Sequence, residues 1–65
     1  MPTITVEGPP IKDIDKKRKL VKGLTESASE AYGLSKDKIV VLIKENPPEN
    51  VGIGGQLLID KYSQK

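Results

Sequence analysis

Ile39-Val40-Val41-Leu42-Ile43, the run IVVLI at residues 39–43, decides how this 65-residue chain folds. It is apolar throughout and rich in β-branched side chains, which favour extended backbone. A half-solvated strand alternates apolar with polar residues, whereas a run without alternation belongs to a strand covered on both faces. Pro47 and Pro48 stop the run a few residues later.

Working outward, the first candidate strand is Thr3-Ile4-Thr5-Val6-Glu7, residues 3–7. It alternates cleanly, with Ile4 and Val6 on one face and Thr3, Thr5 and Glu7 on the other. Gly8, Pro9 and Pro10 then break the pattern. Between the two strands, Leu20, Leu24 and Ala28 recur every fourth residue, flanked by Val21, Ala31 and Tyr32, which is helical spacing. Asp13 is placed to cap the N-terminus of this helix, and Gly33 to end it in the left-handed conformation. Gly23 and Ser27 lie beside the stripe, where small residues would let a helix approach a sheet closely. Strand, helix of about 19 residues and strand make a single βαβ unit, an α/β fold whose two strands are parallel. One helix covers one face of a two-stranded sheet, so the doubly apolar second strand calls for another partner, most simply a second copy of the chain.

Composition points the same way. Residues 1–65 make one domain, of a size at which a hydrophobic core alone supplies about 3–5 kcal/mol. The chain has no cysteine and no histidine, so neither a disulfide nor a structural zinc site can staple it. Oligomerisation is the remaining staple. The cysteine-free composition fits a reducing, cytoplasmic setting, and no stretch has the roughly 20 apolar residues of a membrane span or the layout of a signal peptide. Near the C-terminus, Gly52-Ile53-Gly54-Gly55 lacks both the Gly-Lys-Ser/Thr ending of a P-loop and the three spaced glycines of a dinucleotide site. A short hairpin followed by an apolar tail, Leu57, Leu58 and Ile59, is the reading that remains, with the tail pointing to a subunit interface.

The missing histidine and cysteine also restrict the chemistry, excluding Ser–His and Cys–His nucleophile pairs and a histidine base. The net charge is +2, and its excess lies in Lys16, Lys17, Arg18, Lys19 and Lys22. On a helix such a block reads first as a solvated face. With only Tyr32 and Tyr62 as aromatics there is no stacking platform for nucleic acid. The carboxylate pairs Asp13/Asp15 and Glu45/Glu49 read as helix-start and loop residues, so no metal site is expected. Lys12 stands alone in the loop before the helix, either as an ordinary solvated lysine or as a cation for a substrate. Pro2 carries two readings as well. Proline is tolerated at the first residue of a strand. If Met1 is removed, however, Pro2 becomes a terminal secondary amine, a class of group that titrates near 7.7–8.0 and is lowered further in an apolar, cation-lined pocket.

Met-Pro opening a short strand (MPTITVEG), one long helix, an apolar strand and NVGIGGQ near the C-terminus together resemble the 4-oxalocrotonate tautomerase family over nearly the whole chain. The resemblance implies a βαβ subunit assembled as a homohexamer, a trimer of dimers, working without a cofactor. It further implies that Pro2, freed of Met1, shuttles a proton between the enol oxygen and the carbon end of a 2-hydroxy-dienoate. The family's loop arginine falls on Lys12, which keeps the charge and loses the bidentate fork. Its second-strand arginine falls on Val40, with Lys38 and Lys44 the nearest cations on that face, and its aromatic falls on Val51. The expected activity is therefore keto–enol isomerisation of a 2-hydroxy-dienoate or an arylpyruvate-type acid, with Pro2 as base and Lys12 and Val51 in contact with substrate. Two alternatives stand beside it: an amine nucleophile that forms an iminium, and a non-catalytic oligomeric scaffold.

Overall fold

The structure, a computed structural model, describes residues 1–63. Strand β1 (Thr3–Gly8) leads into helix α1 (Ile14–Tyr32), and strand β2 (Val40–Glu45) follows it. A hairpin of β3 (Gly52–Ile53) and β4 (Gln56–Leu57) then runs directly into a short helix, α2 (Leu58–Ser63). β1 and β2 pair in parallel from Thr3 opposite Val40 to Gly8 opposite Glu45, and β3 and β4 pair antiparallel. This is the βαβ unit with a short C-terminal hairpin that the residue pattern implies.

The helix ends where its caps dictate. Asp13 has extended backbone, and its carboxylate accepts the Asp15 N–H at 2.9 Å, satisfying one of the orphan donors of the first turn. Gly33 closes the other end at φ 67°, a conformation that costs other residues steric strain. In the hairpin, Gly54 and Gly55 both have positive φ, 63° and 85°. A two-residue turn of that kind matches the twist of the flanking strands and strongly favours glycine, so GIGG is a turn motif here.

Parity and register divide the sheet into two faces. Ile4, Val6, Val41 and Ile43 are half-buried on the face toward α1, where Leu20, Val21 and Leu24 meet them and Ala28 is buried. Thr3, Thr5, Glu7, Leu42 and Lys44 are exposed on the opposite face, which Val40 shares. Leu42 is 47% exposed there. Thus the doubly apolar strand is covered by its own chain on one side only.

Several local expectations shift. β1 runs one residue further than residues 3–7, and β2 occupies 40–45 instead of 39–43, because Ile39 caps a 3₁₀ turn at Lys36–Lys38. Ala31 and Tyr32 are exposed, since the helix overshoots the two strands at that end. Gly23 is exposed and a Cβ added to it would meet nothing within 4 Å, so it does not serve close packing on the sheet. The apolar tail is not extended: Leu57 closes the hairpin while Leu58 and Ile59 begin α2. No described helix is long and apolar enough to cross a membrane.

The subunit is open for its mass. Its accessible surface is 5178 Å², against about 4100 Å² for a compact monomer of 7.1 kDa. Its radius of gyration is 15.5 Å, where a compact chain of this length has about 11 Å. Among the described residues only Ala28 is a buried hydrophobic.

Candidate active site

Pro2 sits at the start of β1, half-buried, and its carbonyl oxygen accepts the Val40 N–H at 3.0 Å. That bond holds the proline at the end of the sheet where both strands begin. Met1, just outside it, is 89% exposed. Val40, where the resemblance implies an arginine, therefore lies beside Pro2, but it offers an aliphatic side chain and a backbone amide already engaged. Of the two cations considered as replacements, Lys38 belongs to the turn leading into this end. Lys44 pairs with Glu7 near the other end, about 13 Å further along the strand.

Lys12 and Val51 lie at that opposite end. The connection from β1 to α1 is tied down there by Glu45, the last residue of β2. One carboxylate oxygen accepts the Ile11 N–H at 2.6 Å, and the other accepts from Lys17 Nζ at 2.8 Å. The Asn46 N–H donates to the Gly8 carbonyl at 2.8 Å, closing the same corner. Lys12 follows Ile11 directly and is exposed. The Lys17 ammonium, and then the Ile11 amide, hold the Glu45 carboxyl below its usual value of 4.5 by favouring its charged form.

Val51 lines a cavity of about 250 Å³ at this end of the sheet. Pro9, Pro48, Leu58 and Tyr62 supply its apolar walls, with Glu7 and Asn46 among its polar groups. Val51 and Leu58, the residues that flank the hairpin, build part of it. The Val51 carbonyl accepts the Leu58 N–H at 2.8 Å, which seats the first turn of α2 against the chain leaving β2.

Within one subunit these residues fall into two separate groups. Six residue steps along β1 separate Pro2 from Gly8, a distance of about 20 Å. The structure brings Val51 and the Lys12 loop to one end, and leaves Pro2 with Val40 at the other. Three contributors were not singled out from sequence. Sequence spacing alone makes Glu45 a loop carboxylate, Lys17 part of a solvated basic block, and Tyr62 one of two scattered tyrosines. Lys17 and Glu45 are 28 residues apart and half-buried, with side chains 26% and 29% exposed, so no local spacing announces their pairing. Tyr62 enters the cavity only because α2 folds back on Val51.

Comparison with known proteins agrees with this architecture. The family model described as tautomerase enzyme matches residues 2–61. The 2-hydroxymuconate tautomerase of Bacillus subtilis (strain 168) is 37% identical over 60 residues, covering 92% of this chain and 97% of that protein. The crystal structure of DmpI from Archaeoglobus fulgidus is 47% identical and superimposes with a TM-score of 0.80, covering 91% of this chain and all of the other. TomN, a 4-oxalocrotonate tautomerase homologue in the tomaymycin biosynthetic pathway, is 25% identical with a TM-score of 0.86 and 97% coverage of both chains. With a family match that spans both the βαβ unit and the glycine hairpin, the chain belongs to the tautomerase enzyme family and is an isomerase.

Proposed function

We propose that Pro2, once Met1 has been removed, is the general base of a cofactor-independent tautomerase that interconverts the enol and keto forms of a 2-hydroxy-dienoate or arylpyruvate-type acid. The observation that carries this reading is the placement of Pro2, which is anchored through its carbonyl to the Val40 amide at the sheet end while Met1 projects into solvent. A ring nitrogen fixed by the strand is a base with little freedom to lose.

The chemistry needs one proton carrier. The neutral secondary amine takes the hydroxyl proton of the enol as the O–H electrons form the carbonyl. The C=C electrons then take the proton back from the ammonium at the carbon terminus, so substrate and product are isomers and the base is regenerated. An amine of this class titrates close enough to neutral pH to do both steps. Lys12 holds the carboxylate of the substrate as a point charge, and Val51 forms part of the apolar wall.

The half-sites within one subunit lead to the assembly. Pro2 of one copy must meet the Lys12 and Val51 end of another, in a self-associated oligomer for which the homohexamer is our reading. The excess surface of the isolated subunit and the uncovered Leu42 face support association. The whole chain, residues 1–65, acts as one domain in this assembly, and its cysteine-free composition suits a cytoplasmic enzyme.

Turnover of 2-hydroxymuconate and of phenylenolpyruvate by the wild type and by Pro2→Ala, each checked by intact mass for loss of Met1, tests the reading. The Ala variant is expected to lose about 10²-fold or more in kcat/KM, the scale of a positioned general base. Equal rates for the two proteins would sink the assignment.

A further inference from the structure

We propose that the cavity at Val51 receives an uncharged, apolar end of the substrate, so that the preferred enol acid is a monoacid bearing an aryl or bulky alkyl group and not a dicarboxylate. This rests on the reading of Pro2 and Lys12 given above, and concerns what lies beyond the reacting atoms.

The cavity's size and lining select its occupant. At about 250 Å³ it exceeds the roughly 150 Å³ of a protein cavity known to hold benzene, so a phenyl ring fits with room to turn. Pro9, Pro48, Val51 and Leu58 give aliphatic walls, and Tyr62 gives a ring against which another ring packs edge-on or offset. Among the described residues that line it, Glu7 is the only one with a charged side chain, and that charge is negative. A second substrate carboxylate placed there would lie beside a like charge, and Lys44, registered opposite Glu7, is not among the residues that line the cavity. An aryl group meets the opposite conditions, since its apolar area leaves water wherever it meets these walls.

The cationic end lies next door. Pro9 in the cavity wall is three residues before Lys12, and the Glu45–Ile11 bond fixes the intervening chain against the sheet. One acid head at Lys12 and one apolar end in the cavity account for both features. Tyr62 is the specificity-determining residue on this account, and Glu7 the group that turns a second carboxylate away.

Two measurements on the oligomeric protein, with Met1 removed, test the proposal. Calorimetry with non-reacting acids, trans-cinnamate against cis,cis-muconate, reads discrimination without relying on turnover. Cinnamate is expected to bind about tenfold or more tightly, the scale at which an apolar pocket separates ligands by a few carbons. Tyr62→Ala is expected to remove most of that preference by weakening cinnamate alone, and Glu7→Gln to strengthen muconate alone. Equal affinities in the wild type, tighter muconate, or a Tyr62→Ala effect shared by both acids each overturn the proposal. The second measurement is kcat/KM for phenylenolpyruvate against 2-hydroxymuconate, where preference for the dicarboxylate also overturns it. An unchanged rate in Pro2→Ala tells instead against the base assignment and leaves the binding preference standing on its own result.

Discussion

Lys17 Nζ lies 2.8 Å from Glu45 Oε1, and the other oxygen of the same carboxylate accepts the Ile11 amide at 2.6 Å. One side chain thereby joins the helix, the end of β2 and the loop that carries Lys12. The bond to a charged acceptor is stronger than one between neutral groups, and both donors are spent on it.

That arrangement predicts an acid-sensitive corner. Glu45 titrates below its usual value in the folded chain, so the folded state favours the ionised carboxyl. Its contribution is fully present above the ordinary value of 4.5, and is lost as pH falls from there through the depressed folded value. Melting temperatures of the wild type should fall across that window. Glu45→Gln should start lower at neutral pH and show a shallower fall. Parallel pH profiles for the two proteins would remove the basis for this assignment.

Glu45→Ala, which removes both acceptor oxygens, should act on substrate binding before chemistry. Ile11 precedes Lys12, so freeing its amide loosens the cation and leaves Pro2, at the far end of its own sheet, in place. Glu45→Ala is expected to raise KM several-fold, within the roughly 10²-fold cost of a 1 Å displacement, with a smaller change in kcat. A kcat effect larger than the KM effect contradicts it.

Asp13→Ala removes the carboxylate that caps the Asp15 amide. Loss of an N-cap of this kind costs about 1 kcal/mol, which should appear as a lower denaturation midpoint at fixed protein concentration. Asp13→Asn, which keeps an acceptor at the same place, should restore most of it.

Gly23→Ala should stabilise the protein by about 0.5–1 kcal/mol. The position is mid-helix and has ordinary helical φ, and an added Cβ meets nothing in its own subunit. A loss of stability in denaturant unfolding would instead place Gly23 against a neighbouring copy.

Leu42→Asp places a charge on the apolar part of the face that α1 leaves uncovered. In the proposed assembly this face is internal, and an unpaired charge there is strongly unfavourable. Native mass spectrometry should show a shift toward smaller species, with activity falling alongside because in that assembly each active site is built from two copies. A variant that stays assembled and active would show that Leu42 faces water in the working enzyme.

Much of the fold was legible because its determinants are local. The limits of α1 follow from Asp13 and Gly33, each acting within a few residues of the helix end. The alternation of Ile4 and Val6 with Thr3, Thr5 and Glu7 assigned the faces of β1, since side-chain direction repeats every two residues. The Gly54–Gly55 turn carried its own backbone preference. The limits of β2, one residue later at its start and two at its end, and the helix after Leu57 were not legible, because IVVLI and LLI are apolar runs whose period does not distinguish their limits.

The candidate site divides along the same line. Sequence by itself determined which groups could do chemistry, since a chain without histidine or cysteine and with proline at position 2 has few bases to offer. It also determined that one apolar strand exceeded what one helix could cover. Only the tertiary structure decided that Lys17 turns inward to Glu45, that Tyr62 joins Val51 around a cavity, and that Pro2 lies a strand's length from both. The reason is physical: capping, turns and side-chain alternation act over about four residues, whereas parallel pairing joins residues separated by a whole helix. The register of that pairing sets which ends of the chain meet and which must await another copy.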